Sequence, residues 1–233
     1  MSGAAGTVDI AANVARIRER IARAAARAGR NADGIRLVAA AKTVDAARVA
    51  EAVAAGVADV GENYVQEAAA KRDHVGGGAR WHLIGHLQRN KAASAARIFD
   101  IIQTVDSPRL AEAIAARARS LDRTIDVLLQ VNTSGEGTKS GVPPDELEGL
   151  FEAVAPLDGI RVQGLMTIGG MQADPEAGRP EFRVLVRSAA KLERLGAEMR
   201  WLSMGMSHDF EVAIEEGANL VRVGTGIFGP RPQ

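Results

Sequence analysis

A lysine at the end of an apolar run is the first candidate for chemistry in this sequence. The run LVAAA (37–41) is followed directly by Lys42 and then by a pattern typical of a helix. A lysine in an apolar pocket loses hydration of its ammonium group, and its amine can then form a Schiff base with an aldehyde or a ketone. A solvated lysine at a strand end fits the same pattern, so position alone leaves both interpretations open.

Two segments near the C-terminus carry residue types that bind anions. SMGMSHDF places Ser207 before a predicted helix, where its hydroxyl can cap the helix or hold an anion together with backbone amides. VRVGTG places Gly224, Thr225 and Gly226 after a predicted strand, in a turn whose N–H groups can point at a phosphate. Each segment alone also fits an ordinary cap or turn, but finding both at the chain end favours a phosphate site.

Arg222 lies two residues before Gly224, so the two residues share one face of the last predicted strand, while Val221 and Val223 share the other. An arginine that faces the interior of a protein needs a partner. A ring nitrogen of a cofactor is one candidate, and a carboxylate such as Glu62 is another.

The elements that must position these residues alternate strictly. Eight strand-like runs are separated by helix-like runs; they are IRLVAAAK (35–42), VADVGE (57–62), RWHLIGH (80–86), FDIIQTVD (99–106), IDVLLQVN (125–132), IRVQGLMTIGG (160–170), MRWLSMGMS (199–207) and ANLVRVGTGIFG (218–229). This order predicts an α/β fold, a single (β/α)8 TIM barrel over residues 9–233. A doubly wound sheet is the alternative. The barrel is favoured because polar and glycine residues end nearly every strand, where a barrel gathers its active site, with phosphate often bound after the last two strands.

An extra N-terminal helix is predicted before the first strand. Asp9 can cap it, apolar residues recur at helical spacing over 9–29, and Gly29 can end it. Residues 1–8 are expected to form a disordered N-terminus.

The composition narrows the classes of protein. The chain has 233 residues, 46% of them apolar, with 29 acidic and 29 basic residues and no cysteine. Balanced charge gives no reason to expect nucleic acid or an anionic membrane as a partner, and the missing cysteines exclude disulfides and cysteine-ligated metals. Neither a signal peptide nor a membrane-spanning apolar run is visible. We therefore expect a cytoplasmic protein, and a monomer, since no exposed apolar stripe is evident.

Several motifs together resemble one known family. AAAKT, GENYVQEA, WHLIGHLQRNK, GLMTI, SMGMSHDFEVAI and VRVGTGIFG, spread over residues 9–230, resemble the YggS/PROSC family of pyridoxal-phosphate-binding proteins, which act in pyridoxal phosphate (PLP) homeostasis. The resemblance implies a barrel like the N-terminal domain of alanine racemase with PLP as its cofactor, held as a Schiff base of Lys42. It also implies that the phosphate is held by Ser207, Gly224 and Thr225. Further implied contacts are Arg222 at the pyridine nitrogen and Asn63 in the pocket lining.

The same residues disfavour catalysis. PLP acts as an electron sink when its pyridine nitrogen is protonated, and an arginine facing that nitrogen cannot accept the proton. Racemisation also needs an acid or base on each face of the substrate carbon. Tyr64, the single tyrosine, is expected to start a helix and to pack or cap there. The predicted function is PLP homeostasis, with transient delivery to apo-enzymes. A PLP-dependent amino-acid racemase-like enzyme is the alternative, and a Schiff-base aldolase without a cofactor is a third hypothesis.

Two further clusters have ordinary explanations. His82 and His86 lie four residues apart in WHLIGH, where no carboxylate completes a metal site, so we interpret them as structural histidines or loop histidines at the barrel mouth. The basic cluster Arg89–Lys91 is expected to be solvated at a helix start. Alternatively, this cluster guides a phosphate group into the site or docks a partner protein.

Overall fold

A computed structural model describes residues 8–170 and 173–230, and its strands form one closed parallel barrel. The strands are β1 Arg36–Ala40, β2 Asp59–Glu62, β3 Arg80–Leu83, β4 Ile101–Val105, β5 Ile125–Gln130, β6 Ile160–Met166, β7 Trp201–Ser203 and β8 Leu220–Val223. Each strand pairs in parallel with the next, and β8 closes on β1. The prediction of a TIM barrel is confirmed, and the doubly wound alternative, whose edges would stay open, is wrong.

Helices precede and follow the strands as the alternation predicts. They are α1 Ile10–Arg27, α2 Ala46–Ala54, α3 Val65–Val75, α4 Ala92–Ile98, α5 Pro108–Ser120, α6 Leu147–Val154, α7 Arg179–Arg194, α8 Phe210–Glu215 and α9 Thr225–Phe228. Within the described ranges, no helix has both the length and the hydropathy needed to cross a membrane.

The extra N-terminal helix α1 is confirmed together with its signals. The Asp9 carboxylate accepts a hydrogen bond from the amide of Ala12 at 2.9 Å and so caps the first turn. The apolar stripe of α1 is buried against the rest of the protein, and Gly29 adopts a φ of 65° just after the last turn. The segment 1–8, predicted to be disordered, lies outside the described residues except for Val8.

The two faces of the strands bury different layers. Alternate residues point outward and pack against the helices, while a separate apolar cluster fills the barrel interior; its members are Val38, Ile101, Leu128, Met166, Trp201 and Leu220. On β8, Leu220 belongs to this inner cluster, and Val221 and Val223 belong to the outer core. Arg222 therefore points into the barrel, as the sequence predicts.

Strand register brings distant parts of the chain to one rim. Ala39 on β1 is paired with Val223 on β8, and Ala40 is paired with Gly61 on β2. Because parallel strands end on the same side, the segments that follow β1, β2 and β8 meet at the C-terminal mouth of the barrel.

Candidate functional site

A cavity of about 600 Å³ opens at the C-terminal mouth of the barrel. Its lining comes from the ends of six strands and the segments that follow them; it comprises Ala40, Asn63, Ile84, Ile168, Met206, Ser207, His208, Arg222, Gly224, Thr225 and Pro230. A mainly apolar wall with a few converging polar groups is typical of a small-molecule site. Five of the six residues predicted for the site lie in this lining, and Lys42 is the exception.

The hydroxyl of Ser207 joins the two anion-binding segments to each other. Its Oγ accepts a hydrogen bond from the amide of Gly224 at 3.2 Å and a longer one from the amide of Gly226 at 3.5 Å. The alternative role of Ser207 as a plain helix cap is wrong, because Asp209 occupies the residue before α8 and its carboxylate accepts from the amide of Met206. Ser207 is therefore free of a capping role and faces the cavity together with the glycine turn.

Two glycines, Gly205 and Gly224, lie so close to neighbouring backbone atoms that a side chain would be crowded at either position. Gly205 has a φ of 87°, and a Cβ there would lie 2.8 Å from the Cα of Phe210. A Cβ on Gly224 would lie 3.0 Å from the carbonyl oxygen of Ala40. The second contact joins the ends of β8 and β1 and fixes the distance between the glycine turn and the segment that carries Lys42.

Arg222 forms part of the cavity floor and is almost fully buried. Its Nη1 donates to the Oγ of Ser203 at 2.5 Å, and its Nη2 donates to the carbonyl oxygen of Thr167 at 2.7 Å. Burial lowers the pKa of the Arg222 guanidinium to about 10, and the negative charge of Asp209 opposes that shift. At neutral pH Arg222 thus remains a cation, and a guanidinium has more N–H groups than these two contacts use.

Glu62 is not the partner of Arg222, which corrects the carboxylate alternative. The Oε1 of Glu62 accepts a hydrogen bond from the Nζ of Lys71 at 2.6 Å. The pKa of Glu62 lies above its ordinary value because burial disfavours the carboxylate more than Lys71 favours it. Within the described part of the chain, no carboxylate forms an ion pair with Arg222, so its charge is available to a ligand in the cavity.

Lys42 lies two residues after the end of β1, and Ala40, the last residue of that strand, lines the cavity. Its Nζ is 5.2 Å from the centroid of the Tyr64 ring, within the range of a cation–π contact. Tyr64 stands directly before α3, as expected for a helix start, and its ring packs against the Lys42 amine, but the expected capping role is wrong. Its side chain makes no capping hydrogen bond, and 51% of its surface is exposed. The ring instead covers the amine beside Asn63, which lines the cavity.

A buried lysine holds the turn that carries Lys42. The Nζ of Lys71 donates to the carbonyl oxygen of Ala41 at 2.9 Å and also contacts Glu67 at 3.1 Å. Glu67 in turn accepts from the amide of Thr43 at 2.9 Å. Thr43 has a φ of 62°, a left-handed conformation that costs a residue with a Cβ about 1–2 kcal/mol. Both neighbours of Lys42 are therefore fixed by side chains of α3.

Known proteins match this chain over nearly its whole length. Residues 12–232 match the family model of the alanine racemase N-terminal domain. A pyridoxal phosphate homeostasis protein of Aquifex aeolicus (strain VF5) is 43% identical to this chain over 220 residues, which cover 94% of this chain and 96% of that protein. This chain belongs to the pyridoxal phosphate homeostasis protein family.

Further members of the family match over similar lengths. The pyridoxal phosphate homeostasis protein of Escherichia coli (strain K12) is 40% identical over 227 residues, covering 96% of this chain and 97% of that protein. A solved structure of PipY from Synechococcus elongatus PCC7942, with PLP bound, has a TM-score of 0.84 and 34% identity, covering 95% of this chain and all of that one. The resemblance predicted from the motifs is confirmed.

Two residues that support the segment around Lys42, Lys71 and Glu67, were not predicted from the sequence. Lys71 and Glu67 are four residues apart, and this helical ion-pair spacing was visible in QEAAAK. Nothing in the local sequence indicated that the pair would reach Ala41 and Thr43.

The two clusters with ordinary explanations lie in different surroundings. His82 is fully buried in the barrel interior, which fits the structural interpretation, whereas His86 is exposed. In the basic cluster, Arg89 and Asn90 are exposed just before α4, which fits the prediction of a solvated helix start. Neither cluster contributes a residue to the lining of the mouth cavity.

Proposed function

We propose that this protein binds PLP in the mouth cavity, holds it as a Schiff base of Lys42 and takes part in PLP homeostasis and delivery. The observation that carries the proposal is the convergence of three features at one cavity. These are a cradle of hydroxyls and amides, a buried arginine that no carboxylate of the described residues pairs, and an adjacent lysine. The proposal predicts a protein that takes up PLP when it is offered and does so at one lysine.

The cradle at the end of β8 suits a phosphate group. Ser207 and Thr225 offer hydroxyls, and the amides of Gly224 and Gly226 already point at an oxygen atom, the Oγ of Ser207. An oxygen of a phosphate group accepts the same kind of hydrogen bond and carries negative charge besides. We assign Ser207, Gly224 and Thr225 to phosphate binding on this basis.

The buried arginine suits the ring of PLP. Arg222 can only donate hydrogen bonds, and it keeps its proton at neutral pH. A pyridine nitrogen facing Arg222 would accept a hydrogen bond and stay unprotonated, which would weaken the electron sink that PLP supplies to catalysis. Arg222 thus favours a protein that binds PLP over one that turns over amino acids. Asn63 contributes to the same lining.

In this proposal Lys42 reaches the cavity from the turn that follows β1. Ala40, two residues earlier, lines the cavity, and the clamp of α3 residues fixes the backbone on both sides of Lys42. The lysine side chain has four rotatable bonds, so its amine can swing from the Tyr64 ring towards the cavity without backbone movement. A mobile amine on a fixed backbone suits a protein that must both capture an aldehyde and release it. Release to apo-enzymes, acting as a monomer in the cytoplasm, completes the proposal.

The assignment is tested by trapping the adduct. Purified protein is incubated with PLP, reduced with borohydride and mapped by peptide mass spectrometry, with absorbance recorded before and after reduction. We expect a coloured protein with one reduced adduct, on Lys42. Lys42→Arg should remove the adduct, whereas Lys91→Arg, a control at a lysine of the neighbouring pocket that Asn63 also lines, should leave it in place. An adduct on a different lysine in the wild-type protein would refute the site.

Catalysis is tested on the same material. The PLP-loaded protein is incubated with L- and D-alanine in deuterated water, and deuterium at the substrate α-carbon is measured by NMR. We expect no exchange above the rate given by free PLP. Exchange at ordinary enzymatic rates would favour the racemase-like alternative.

A further inference from the structure

A chain of hydrogen bonds crosses the interior of the barrel, starting at the arginine of the cavity floor. The Nη1 of Arg222 donates to the Oγ of Ser203 at 2.5 Å, and that hydroxyl donates to the Oε1 of Gln103 at 2.6 Å. The Nε2 of Gln103 is 2.8 Å from the Nδ1 of His82, and the Nε2 of His82 is 2.9 Å from a carboxylate oxygen of Asp59. We call Ser203, Gln103 and His82 the interior path.

The interior path is shielded from water along its whole length. Ser203, Gln103 and His82 are fully buried, and the two end groups, Arg222 and Asp59, are nearly so. In such surroundings a polar group that loses its partner cannot replace it with water, so the members hold one another in place.

The far end of the path lies at the opposite rim of the barrel. Asp59 is the first residue of β2, and it also accepts from the Nε of Arg36 at 2.8 Å and from the Nε of Arg80 at 3.0 Å. Burial alone would raise the pKa of Asp59, but the hydrogen bond from His82 and the charges around it outweigh burial and lower the pKa to about 2. Asp59 is therefore an ionised carboxylate that only accepts.

The two end groups fix the direction of every bond between them. Arg222 only donates, so the Ser203 hydroxyl must accept there and give its own proton to Gln103. The Gln103 amide then presents its NH2 to His82, whose Nδ1 is unprotonated and whose Nε2–H donates to Asp59. With His82 neutral, this arrangement satisfies every member of the path. Turning the Gln103 amide would set its oxygen against the unprotonated Nδ1 of His82 and break that hydrogen bond.

We propose that Ser203, Gln103 and His82 are positioning residues that act through Arg222 on the ring of the ligand in the mouth cavity. They hold the guanidinium in one plane, together with the carbonyl of Thr167, so that its remaining N–H groups face the cavity. The inference rests on the proposed function, since it assigns the pyridine nitrogen of PLP as the group that those N–H groups meet. No proton is transferred along the path, because the Gln103 amide keeps its protons.

The test removes single members of the path. Gln103→Leu cuts the path in the middle, and Ser203→Ala removes the group that touches Arg222. The matched control is Gln163→Leu, the same substitution at a buried glutamine of β6 that, among the described residues, makes no hydrogen bond to the path. PLP is titrated into each purified variant, and the dissociation constant, the absorbance maximum of bound PLP and the melting temperature of the PLP-free protein are recorded.

We expect both path variants to bind PLP about tenfold more weakly and to shift its absorbance maximum, while Gln163→Leu changes neither. A double-mutant cycle separates positioning from general destabilisation: in an Arg222→Ala background, Gln103→Leu should cause no further change in binding or spectrum. Rescue is expected in Ser203→Thr, which keeps the hydroxyl.

Three results would overturn the inference. These are an unchanged affinity and spectrum in both path variants, an equal effect of Gln163→Leu, and a full effect of Gln103→Leu in the Arg222→Ala background. In each case PLP still binds the wild-type protein at Lys42 and the proposed function stands. A wild-type protein that binds no PLP at Lys42 would instead overturn the proposed function and this inference together.

Discussion

At the scale of single residues, the hydroxyl of Ser207 is held by the amides of Gly224 and Gly226 in a position that an anion would share. The hydrogen bonds are 3.2 and 3.5 Å long, at or beyond the usual limit for N–H···O contacts. Weak contacts of this kind cost little to exchange for stronger ones. The arrangement is suited to receive a phosphate oxygen, which forms shorter, charge-assisted bonds.

Removing both hydroxyls from the cradle should weaken retention of PLP without unfolding the protein. We expect Ser207→Ala combined with Thr225→Ala to raise the dissociation constant about a hundredfold or more, because each lost hydrogen bond to a charged group is worth about 1.5–3 kcal/mol. Retention is measured by gel filtration of the loaded protein, and folding by circular dichroism. The double variant Ser120→Ala with Thr124→Ala, at exposed positions far along the chain from the cradle, is the control. Equal retention in the two double variants would count against the cradle.

At the scale of elements, the segment between β1 and α2 depends on α3 for its shape. Lys71 donates a hydrogen bond to the carbonyl oxygen of Ala41, and Glu67 accepts one from the amide of Thr43. Side chains of α3 therefore hold the backbone on both sides of Lys42. The cluster is buried except for part of Glu67, and one oxygen of Glu62 has no hydrogen-bond partner within the described residues. The turn, in which Thr43 has a φ of 62°, is therefore held in shape by the buried ammonium group of Lys71.

Removing that charged group should destabilise the protein and loosen the turn. We expect Lys71→Met to lower the free energy of unfolding by about 3 kcal/mol, because breaking one side of a buried pair leaves the other uncompensated. Lys191→Met is the matched control, since Lys191 pairs with Glu148 at an exposed position where an ion pair is worth less than about 1 kcal/mol. Urea unfolding measures the stability, and amide hydrogen exchange at Thr43 should become faster in Lys71→Met alone. Similar losses in the two variants would contradict the clamp.

The sequence predicts the elements well because their signals are local. Asp9 and Gly29 bound α1 as expected, and the alternation of strand and helix leads directly to the barrel. The gathering of Ala40, Asn63 and Gly224 at one mouth then follows from the topology, since all parallel strands end on the same side.

The hydrogen bonds in the barrel interior below the cavity could not be predicted in the same way. Ser203 and Gln103 are separated by 100 residues, and their contact depends on which side chains cross the barrel interior. No local pattern in the sequence predicts this contact, because the two side chains meet only when the barrel closes.

The local capping roles considered for Ser207 and Tyr64 were wrong for a related reason. In each case a contact with another element replaced the cap: the glycine turn for Ser207 and Lys42 for Tyr64. The long-range ion pair considered for Glu62 and Arg222 was also wrong, because Lys71 pairs with Glu62 instead.

At the scale of the whole molecule, the barrel interior combines an apolar layer with the interior path. The apolar layer stabilises the closed barrel through burial, and the path adds hydrogen bonds between β2, β3, β4, β7 and β8. A buried path is stable only while every member keeps its protonation state. The stability of the whole barrel is thereby linked to pH through His82 and Asp59.

Acid should destabilise the barrel, and His82→Gln should reduce this effect. Burial lowers the pKa of His82 from its ordinary 6.5, while Asp59 opposes the shift, so the folded state holds the neutral imidazole. As the pH is lowered from about 7 towards the folded pKa of His82, the unfolded state binds more protons than the folded state, and the free energy of unfolding falls. Asp59, with a folded pKa of about 2, adds a separate loss of about 2 kcal/mol between roughly pH 4 and pH 2.

Glutamine at position 82 keeps a donor for Asp59 but has no proton to gain, so the comparison isolates the histidine. The charged groups around it, Asp59, Arg80 and Arg36, are the same in both proteins. We expect urea unfolding to show a smaller decrease in stability between about pH 7 and pH 4.5 for His82→Gln than for the wild-type protein. Exposed His74 is the control position, and His74→Gln should leave the wild-type profile unchanged. Parallel profiles for His82→Gln and wild type over the whole range would show that the imidazole of the interior path does not set the acid sensitivity of the barrel.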